Sequence, residues 1–286
     1  MQTTTTCSET HLRKRIDELT AYIQEFGSVL VAYSGGVDST FLAAVTHQAL
    51  GDRMLAVTLS MASVPERHLQ RALDFAETLG FPYLALEEDQ FAMPGFVANA
   101  PNRCYFCKLA IMRRANDLAR EHGLEQVIDG ANEDDRGDFR PGSRAVHECG
   151  VRSPLAELHW TKLEIRAASR LLGLPSADLP SYACLASRVP YDEPITPEKL
   201  TQVDAVEALL DTMGLAGGRA RHHGDILRLE LTEEGFDALS TQPGLRNDVL
   251  ECAKRVGFRY VTLDLELYRT GRLNEVLDDS KGPHGK

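Results

Sequence analysis

The fold is decided by residues 28–39, which read SVLVAYSGGVDS. Residues 28–33 form a short apolar run rich in β-branched side chains, which predicts a buried strand, and residues 40–50 continue as a helix. The two glycines between them permit a tight turn in which consecutive N–H groups point at one anion. The following helix adds its own unpaired N–H groups and the positive end of its dipole. The stretch therefore predicts a strand, an anion-binding turn and a helix.

The same alternation of strand and helix continues along the chain. Short apolar runs predict further strands, and helical periodicity predicts further helices. The predicted strands lie at 54–59, 82–86 and 126–129, and the predicted helices lie at 12–23, 65–79, 107–122 and 161–172. Strands that alternate with helices form βαβ units, so the fold class is α/β with a doubly wound parallel sheet.

The boundary before a second, smaller domain is predicted within the proline-rich segment 175–197. Helices at 197–213 and 245–256, with strands at 225–231 and 260–265, predict an α+β arrangement for that domain. We therefore expect an α/β domain over residues 1–180 and a C-terminal α+β domain over residues 181–286. The polar stretch 130–154 is expected to be a long functional loop, because loops of this length are uncommon in compact domains and are usually functional where they occur.

The composition narrows the class of protein. The 286 residues include 42 Asp and Glu but only 31 Lys and Arg, which gives a net charge of −11. This is the wrong sign for holding long nucleic acid by counterion release, so an anionic ligand needs a local basic pocket. Six cysteines are too few for a disulfide-stapled secreted domain, and no apolar run reaches about 18 residues, so we expect neither a secretory leader nor a membrane span. We expect a cytoplasmic enzyme with neither nucleic acid nor membrane as its partner.

Asp38 is unusual for a turn that binds only phosphate. A carboxylate repels phosphate unless it caps the helix or faces a metal ion, and Mg²⁺ held between the carboxylate and pyrophosphate would remove the repulsion. Ser34 and Ser39 can add hydroxyl donors. The segment is not a Walker A sequence, since no Gly-Lys-Ser/Thr follows.

Several other charged residues are candidates for the same site. Lys108, together with Arg140 and Arg144 of the polar stretch, could hold phosphate, because their positive charges would neutralise it. Asp134 and Asp135 could bind Mg²⁺ or simply solvate a loop.

The hexapeptide SGGVDS after a buried strand resembles the PP-loop of the ATP pyrophosphatase superfamily, whose members split ATP between the α and β phosphates and activate a substrate as its adenylate. The resemblance implies that the end of the second strand, including Thr58 and Ser60, lies beside adenine. It also implies that pyrophosphate and Mg²⁺ are held by Ser34, Gly35, Gly36, Val37, Asp38 and Ser39, with Asp38 as the Mg²⁺ ligand.

Three cysteines are candidate ligands or nucleophiles. Cys104 and Cys107 form a Cys-x-x-Cys in NRCYFCK, and Cys184 lies in ACLASR. A Cys-x-x-Cys alone is compatible with a redox pair, half of a zinc site, part of an Fe–S site, or coincidence. In a zinc site, His147 or His159 could supply a further ligand. Three cysteines around a [4Fe–4S] cluster would leave one iron open to an exogenous ligand such as sulfide. The remaining three, Cys7, Cys149 and Cys252, are expected to be structural.

The motifs SGGVDS, NRCYFCK, GANEDDRGDFRPG and ACLASRVPY together resemble the LarE-type ATP-dependent sulfur transferases. This resemblance implies adenylation of a carboxylate of a pyridinium dicarboxylic acid mononucleotide and its conversion to a thiocarboxylate, in the synthesis of the nickel-pincer cofactor of lactate racemase. Cys184 matches the sulfur-bearing cysteine. In one branch of the family, the resemblance implies that this cysteine gives up its own sulfur and becomes dehydroalanine. In another branch, it implies that a [4Fe–4S] cluster held by three cysteines delivers a bound sulfide. Because Cys104 and Cys107 are present, we favour Cys104, Cys107 and Cys184 as cluster ligands.

The resemblance also assigns roles outside the PP-loop. It implies a homohexamer, a small nucleotide-like substrate, a sulfide donor and other cofactor-synthesis proteins as partners, with phosphate bound near Arg219 and Arg221. Glu207 and Glu230 are either metal ligands by the same analogy or ordinary surface residues. Arg188, near Cys184, could lower a thiolate pKa or bind a phosphate. The residues expected to carry the chemistry are Cys184, Asp38, Lys108 and Arg188.

Two other functions compete with this one. A PP-loop tRNA thiolase can use three cysteines around an Fe–S cluster, but it should present a basic face, and the net charge here is −11. A non-catalytic nucleotide- or metal-binding module is the other alternative, and the presence of Asp38 and Lys108 argues against it.

Overall fold

The computed structural model describes residues 8–137 and 141–269, which form two compact units. The first unit consists of the described residues up to Met93 together with Cys104–Ser181, and the second consists of Pro94–Arg103 and the described residues from Tyr182 onward. Nothing in the sequence pattern indicated that Pro94–Arg103 groups with the second unit. Within the described ranges, no helix is long and apolar enough to cross a membrane.

The first unit is built on four parallel strands in the order β3-β2-β1-β4, which confirms the predicted α/β class. The strands are β1 (Val29–Ala32), β2 (Met54–Ser60), β3 (Tyr83–Glu87) and β4 (Gln126–Asp129). The helices are α1 (Glu9–Gln24), α2 (Val37–Leu50), α3 (Glu66–Leu79), α4 (Arg103–Glu121), α5 (Pro141–Glu148), α6 (Pro154–Glu157) and α7 (Lys162–Leu171). Short 3-10 helices cover Gly51–Arg53, Gln90–Ala92 and Glu133–Gly137.

Alternate residues of the central strand β1 pack into different hydrophobic clusters. Val29 and Val31 belong to the cluster that contains residues of α1, α2 and α7, whereas Leu30 belongs to the cluster that contains Met112 of α4. Successive side chains of a strand point to opposite faces. The sheet is therefore covered by helices on both faces, which explains why its strands are apolar without interruption.

The structure corrects the predicted loop at 130–154. It contains the 3-10 helix Glu133–Gly137 and the two-turn helix α5. The prediction was wrong because Ala145 and Val146 are buried in the core, while the polar residues around them conceal the helical pattern. Helix α2 also begins at Val37 rather than at residue 40, because Gly36 already serves as its N-cap.

The second unit is an α+β arrangement, as predicted, with a three-stranded sheet in the order β5-β6-β7. β5 and β6 are antiparallel, and β6 and β7 are parallel. Its described elements are the 3-10 helix Leu185–Arg188, α8 (Pro197–Thr212), β5 (Arg219–His223), β6 (Ile226–Glu230), α9 (Glu233–Thr241), α10 (Pro243–Arg255) and β7 (Tyr260–Leu263). The sequence did not predict α9, and the charged residues of β5 concealed that strand.

Two buried ion pairs hold the second unit together. The Nε and Nη2 atoms of Arg188 donate to the two carboxylate oxygens of Glu207 at 2.7 and 2.8 Å, and these residues are only 1% and 5% exposed. Arg221 donates two bonds to Glu230 at 2.9 and 2.6 Å. The backbone N–H of Ala220 also donates to Glu207. The first pair thus fastens the 3-10 helix Leu185–Arg188 to α8 and β5.

Hydrogen bonding keeps Glu207 ionised although it is buried. Burial is the largest single effect and raises the pKa of this carboxyl group, but the hydrogen bonds and charge of Arg188, together with the Ala220 N–H and the charge of Arg219, hold its pKa below the usual value. A buried charge whose partner is removed is strongly destabilising, whereas the intact pair is tolerated.

We predict that Glu207→Gln lowers the free energy of unfolding by about 3 to 5 kcal/mol, because Arg188 stays buried without its counter-charge. The measurement is urea denaturation followed by circular dichroism. Asp225→Asn is the control, since its ion pair with Arg259 is exposed and its loss should change stability by less than about 1 kcal/mol. Equal, small losses in both variants would contradict a structural role for the buried pair.

Candidate functional site

Gly35 shapes the turn between β1 and α2. Its φ of +68° lies in the left-handed region, and a Cβ at this position would lie 2.8 Å from the Cβ of Ala72 on α3. Any other residue would therefore be strained and would clash. Gly36 follows as the N-cap of α2 and makes no side-chain cap. The first-turn N–H groups of α2 thus lack a side-chain partner at their cap, which is the arrangement in which a helix N-terminus binds an anion.

Hydrogen bonds within the turn hold its shape. The hydroxyl groups of Ser34 and Ser39 are 3.0 Å apart, and the Ser39 hydroxyl donates to the carbonyl of Gly36 at 3.2 Å. Val37 is buried, so only its backbone is available to a ligand. Gly130, directly after β4, approaches so closely that a Cβ there would lie 3.0 Å from the backbone nitrogen of Ser39.

Asp38 forms an ion pair that sequence reasoning missed. Its Oδ2 atom lies 2.5 Å from the Nζ of Lys162, while its Oδ1 atom is buried without a hydrogen-bond partner. Burial raises the pKa of Asp38, and the neighbouring Lys162 only partly opposes this effect. A buried carboxylate oxygen without a donor is a suitable ligand for Mg²⁺, which prefers carboxylate oxygens and phosphates.

Hydrogen bonds at the start of α7 fix the backbone of Lys162 in this position. It is the first residue of α7, and Thr161 and Glu164 form a capping box there. The backbone N–H of Lys162 donates to Asp134 at 2.8 Å, and Asp135 accepts from the N–H of Asn132 at 3.0 Å. In the structure both aspartates therefore stabilise backbone turns. No motif marked Lys162, and its position at the start of a predicted helix was the only signal.

Lys108 also has an acidic partner that the sequence did not identify. Its Nζ lies 3.2 Å from Oδ2 of Asp129, the last residue of β4. Asp129 is buried, and its Oδ1 atom accepts from the hydroxyl of Ser153 at 2.7 Å. The carboxyl ends of parallel strands meet at one edge of a sheet, so the end of β4 and the turn after β1 share this edge.

The two residues predicted to lie beside adenine differ in their surroundings. Thr58 is buried and donates from its hydroxyl to the carbonyl of Tyr33 at 2.8 Å, so it supports the strand that precedes the PP-loop. Ser60 ends β2 and is partly exposed. It therefore lies at the same edge of the sheet as the turn after β1.

Two basic residues of the polar stretch, Arg140 and Arg144, were expected to hold phosphate. Arg140 lies outside the described residues. Arg144 is exposed, donates to Glu148 at 2.7 Å, and lies with its guanidinium carbon 5.1 Å from the ring centre of Tyr105. Tyr105, in turn, donates to Glu148 at 2.6 Å. Arg144 thus covers an aromatic residue inside the Cys-x-x-Cys.

The cysteines differ in their access to solvent. Cys104 and Cys184 are exposed, Cys107 is half-buried, and the side-chain amide of Gln90 donates to the Cys107 sulfur at 3.4 Å. Cys252 is buried. In residues 8–137 and 141–269, no three His, Cys, Asp or Glu side chains are grouped closely enough to hold a metal ion. Cys7 lies outside the part of the chain that the structure describes.

Three buried arginines hold the backbone around Cys184. Arg188 donates to the carbonyl of Ala183 at 3.1 Å, Arg221 to that of Ser187 at 2.7 Å, and Arg103 to that of Ala186 at 3.0 Å. Arg188 was considered for binding a phosphate, and the resemblance implied a phosphate near Arg221. In the structure their guanidinium groups contact Glu207 and Glu230 and this backbone.

Arg219 and the two glutamates are likewise engaged within the second unit. Arg219 donates to the carbonyls of Gly217 and Gly218, both at 2.9 Å, and its guanidinium carbon lies 4.5 Å from the ring centre of Tyr268. Burial lowers the pKa of Arg219. Glu207 and Glu230, considered as metal ligands from the sequence, are both buried in ion pairs with arginines.

Comparisons with known proteins agree with the motifs. Residues 11–105 match the family model for NAD synthase. An uncharacterised protein from Synechocystis sp. is 41% identical over 93% of this chain and 99% of its own length. Pyridinium-3,5-bisthiocarboxylic acid mononucleotide synthase from Lactiplantibacillus plantarum is 34% identical over 91% of this chain and 93% of its own length. One component of the glutamine-hydrolysing GMP synthase from Archaeoglobus fulgidus is 26% identical over 71% of this chain and 70% of its own length.

These similarities differ in how much of the chain they cover, and so they identify the superfamily and the family in turn. The NAD synthase match covers the PP-loop and the elements around it, whereas the similarity to the synthase from L. plantarum extends over most of the chain and so includes both compact units. The resemblance drawn from the motifs is thereby confirmed, and the chain belongs to the LarE-type family of ATP-dependent sulfur transferases within the PP-loop ATP pyrophosphatase superfamily.

Proposed function

We propose that this enzyme adenylates a carboxylate of pyridinium-3,5-dicarboxylic acid mononucleotide and converts it to a thiocarboxylate, as a step in the synthesis of the nickel-pincer nucleotide cofactor. The observation that carries the proposal is the identity of 34%, over 91% of this chain, with a relative named as the corresponding bisthiocarboxylic acid synthase. The uncapped N-terminus of α2 and the unpartnered oxygen of Asp38 supply the phosphate-binding chemistry that this reaction needs.

The first half-reaction is the adenylation of the substrate, and it uses residues of the first unit. A carboxylate oxygen of the substrate attacks the α-phosphorus of ATP, the bond from that phosphorus to the bridging oxygen breaks, and pyrophosphate leaves. The first-turn N–H groups of α2, with Ser34 and Ser39, bind the pyrophosphate. Lys162 and Lys108 neutralise the charge that develops on the phosphate oxygens.

Mg²⁺ fits this site because Asp38 retains one buried oxygen that no donor satisfies. Bound there, the ion would neutralise charge between the Asp38 carboxylate and the phosphates. Asp38 would hold it, and Lys162 would keep the carboxylate oriented through its second oxygen.

We predict that Asp38→Asn lowers substrate-dependent release of AMP and pyrophosphate by about 100-fold or more, because electrostatic groups at a reacting phosphate have effects of this order. The measurement is steady-state pyrophosphate release at saturating ATP. Asp52→Asn is the matched control, because Asp52 is exposed just beyond the other end of α2, and its rate should equal that of the unsubstituted enzyme. A fully active Asp38→Asn variant would rule out Asp38 as the Mg²⁺ ligand.

The second half-reaction needs a sulfur donor. Sulfide attacks the acyl carbon of the adenylate, the bond from that carbon to the AMP oxygen breaks, and AMP leaves with the electron pair. We propose that Cys104, Cys107 and Cys184 hold a [4Fe–4S] cluster, because thiolates are the ligands of such clusters and two of these thiols are exposed. Held by three cysteines, the cluster would offer one iron to exogenous sulfide. The competing mechanism is sacrifice of the sulfur of Cys184.

Substrate class and location follow from composition and chemistry. A small nucleotide is preferred to tRNA because the net charge is −11 and most arginines considered for phosphate binding are engaged within the protein. A reduced cytoplasmic environment suits thiolate ligands. A homohexamer, a sulfide donor and further cofactor-synthesis proteins as partners rest on the family resemblance alone.

We predict that Cys184→Ala abolishes formation of the thiocarboxylate while adenylation persists, because the sulfur atom takes part only in the second half-reaction. Adenylation is measured as substrate-dependent exchange of labelled pyrophosphate into ATP, and the thiocarboxylate by mass spectrometry. Cys149→Ala, which alters a half-buried cysteine outside the proposed ligand set, should leave both activities unchanged. Loss of adenylation together with sulfur transfer in Cys184→Ala would instead indicate that Cys184 is architectural.

A further inference from the structure

Asn99 is a buried amide in the segment Pro94–Arg103, which belongs to the second unit, and it lies outside the residues assigned to the two half-reactions. Its side chain is fully buried. Its φ of +53° lies in the left-handed region, which asparagine tolerates better than most other residues with a side chain. A buried amide requires hydrogen-bond partners, and those of Asn99 surround the segment that follows Cys184.

The NH₂ group of Asn99 binds the turn after the 3-10 helix Leu185–Arg188. Its Nδ2 atom lies 3.3, 2.6 and 3.0 Å from the carbonyl oxygens of three residues there, Val189, Pro190 and Glu193. The backbone carbonyl of Asn99 also accepts from the N–H of Asp192 at 3.1 Å. One asparagine thus holds the turn 189–193 through both its side chain and its backbone.

The other end of the Asn99 amide is bound to the 3-10 helix itself through an arginine. The Oδ1 atom of Asn99 accepts from the buried guanidinium group of Arg103. The same Nη1 atom of Arg103 donates to the carbonyl of Ala186, inside the helix, at 3.0 Å. Because carbonyl oxygens only accept and a guanidinium group only donates, these partners fix which end of the amide faces each of them.

Cys184 depends on this restraint because of where its thiol lies. Cys184 is exposed and is the N-cap of the 3-10 helix Leu185–Arg188, which has only four residues. A helix of this length is not stable without tertiary contacts. The carbonyl of Cys184 accepts from the backbone N–H of Ser187 at 3.0 Å, so the orientation of Cys184 follows that of the helix.

We propose that Asn99 is a positioning residue for sulfur transfer, because it fixes, together with Arg103, the backbone that presents the Cys184 sulfur. The inference rests on the proposed function, since it requires Cys184 to take part in the second half-reaction. It holds whether Cys184 is a cluster ligand or gives up its own sulfur. A displacement of about 1 Å at a reacting group costs about 100-fold in rate. A loosened backbone at Cys184 therefore impairs sulfur transfer, whereas adenylation is retained.

The test uses Asn99→Gly, because glycine adopts the left-handed backbone without strain and the amide side chain is removed. The full chain is prepared anaerobically with iron and sulfide, and the first thiocarboxylate formed per chain is followed by mass spectrometry. The rate of sulfur transfer should fall by about 100-fold, while substrate-dependent exchange of labelled pyrophosphate into ATP should stay within about twofold of the unsubstituted rate.

Asn247→Gly is the matched control, since it makes the same exchange at an exposed residue of α10 in the second unit. It should retain the rates of both half-reactions. Circular dichroism is used to verify that each variant is folded.

Three results would overturn the inference, and they are distinguishable. If Asn99→Gly transfers sulfur at the unsubstituted rate, Asn99 does not position Cys184. If the folded variant loses adenylation as much as sulfur transfer, Asn99 acts on the whole enzyme rather than on Cys184. If the unsubstituted chain forms the adenylate but no thiocarboxylate, the proposed sulfur transfer fails, and this inference fails with it.

Two further measurements apply if Asn99→Gly does not fold. Arg103→Lys keeps the positive charge but not the guanidinium group that serves two acceptors, so it should lower sulfur transfer selectively, by about 10-fold. In the unsubstituted chain, hydrogen exchange should show protection of the N–H groups of Ser187 and Val189, which donate to the carbonyls of Cys184 and Ala186. Unprotected amides there, or a full rate of sulfur transfer in Arg103→Lys, would contradict the inference.

Discussion

An uncapped helix N-terminus is the feature on which the rest of the site depends. Gly35, in a left-handed conformation and pressed against Ala72, forces the chain from β1 into α2 within a few residues. Gly36 then begins the helix without a side-chain cap. The N–H groups and the partial positive charge of this helix end are therefore available to an anionic ligand.

Asp38 in the first unit and Glu207 in the second differ in how completely their carboxylate oxygens are hydrogen-bonded. In the first unit, Asp38 is only partly satisfied, because Lys162 occupies one of its oxygens and the other has no hydrogen-bond partner. In the second unit, the carboxylate of Glu207 is satisfied by Arg188 and a backbone N–H. An incompletely satisfied buried group is suited to binding a ligand, whereas a fully satisfied pair is suited to fixing a conformation. The second unit uses its arginines to hold the segment around Cys184.

The sequence predicted those parts of the molecule that local pattern determines. The buried strands and the strand-turn-helix at residues 28–50 follow from apolar runs and glycines, and the α/β class follows from their alternation. Strand β5 was hidden because it carries buried charged residues: Arg221 pairs with Glu230 of the neighbouring strand, and Arg219 donates to the carbonyls of Gly217 and Gly218, partners that an apolar pattern does not reveal. Lys162 was missed for a similar reason, since its ion-pair partner Asp38 lies far away in the chain.

The central claim is that ATP activates a carboxylate that then receives sulfur from a renewable source rather than from Cys184 itself. The most direct measurement is the number of thiocarboxylates formed per chain with excess ATP, substrate and sulfide, together with the intact mass of the protein afterwards. The proposed mechanism predicts more than one product per chain with the mass unchanged. At most one product per chain, with the protein lighter by one H₂S at Cys184, would contradict the claim.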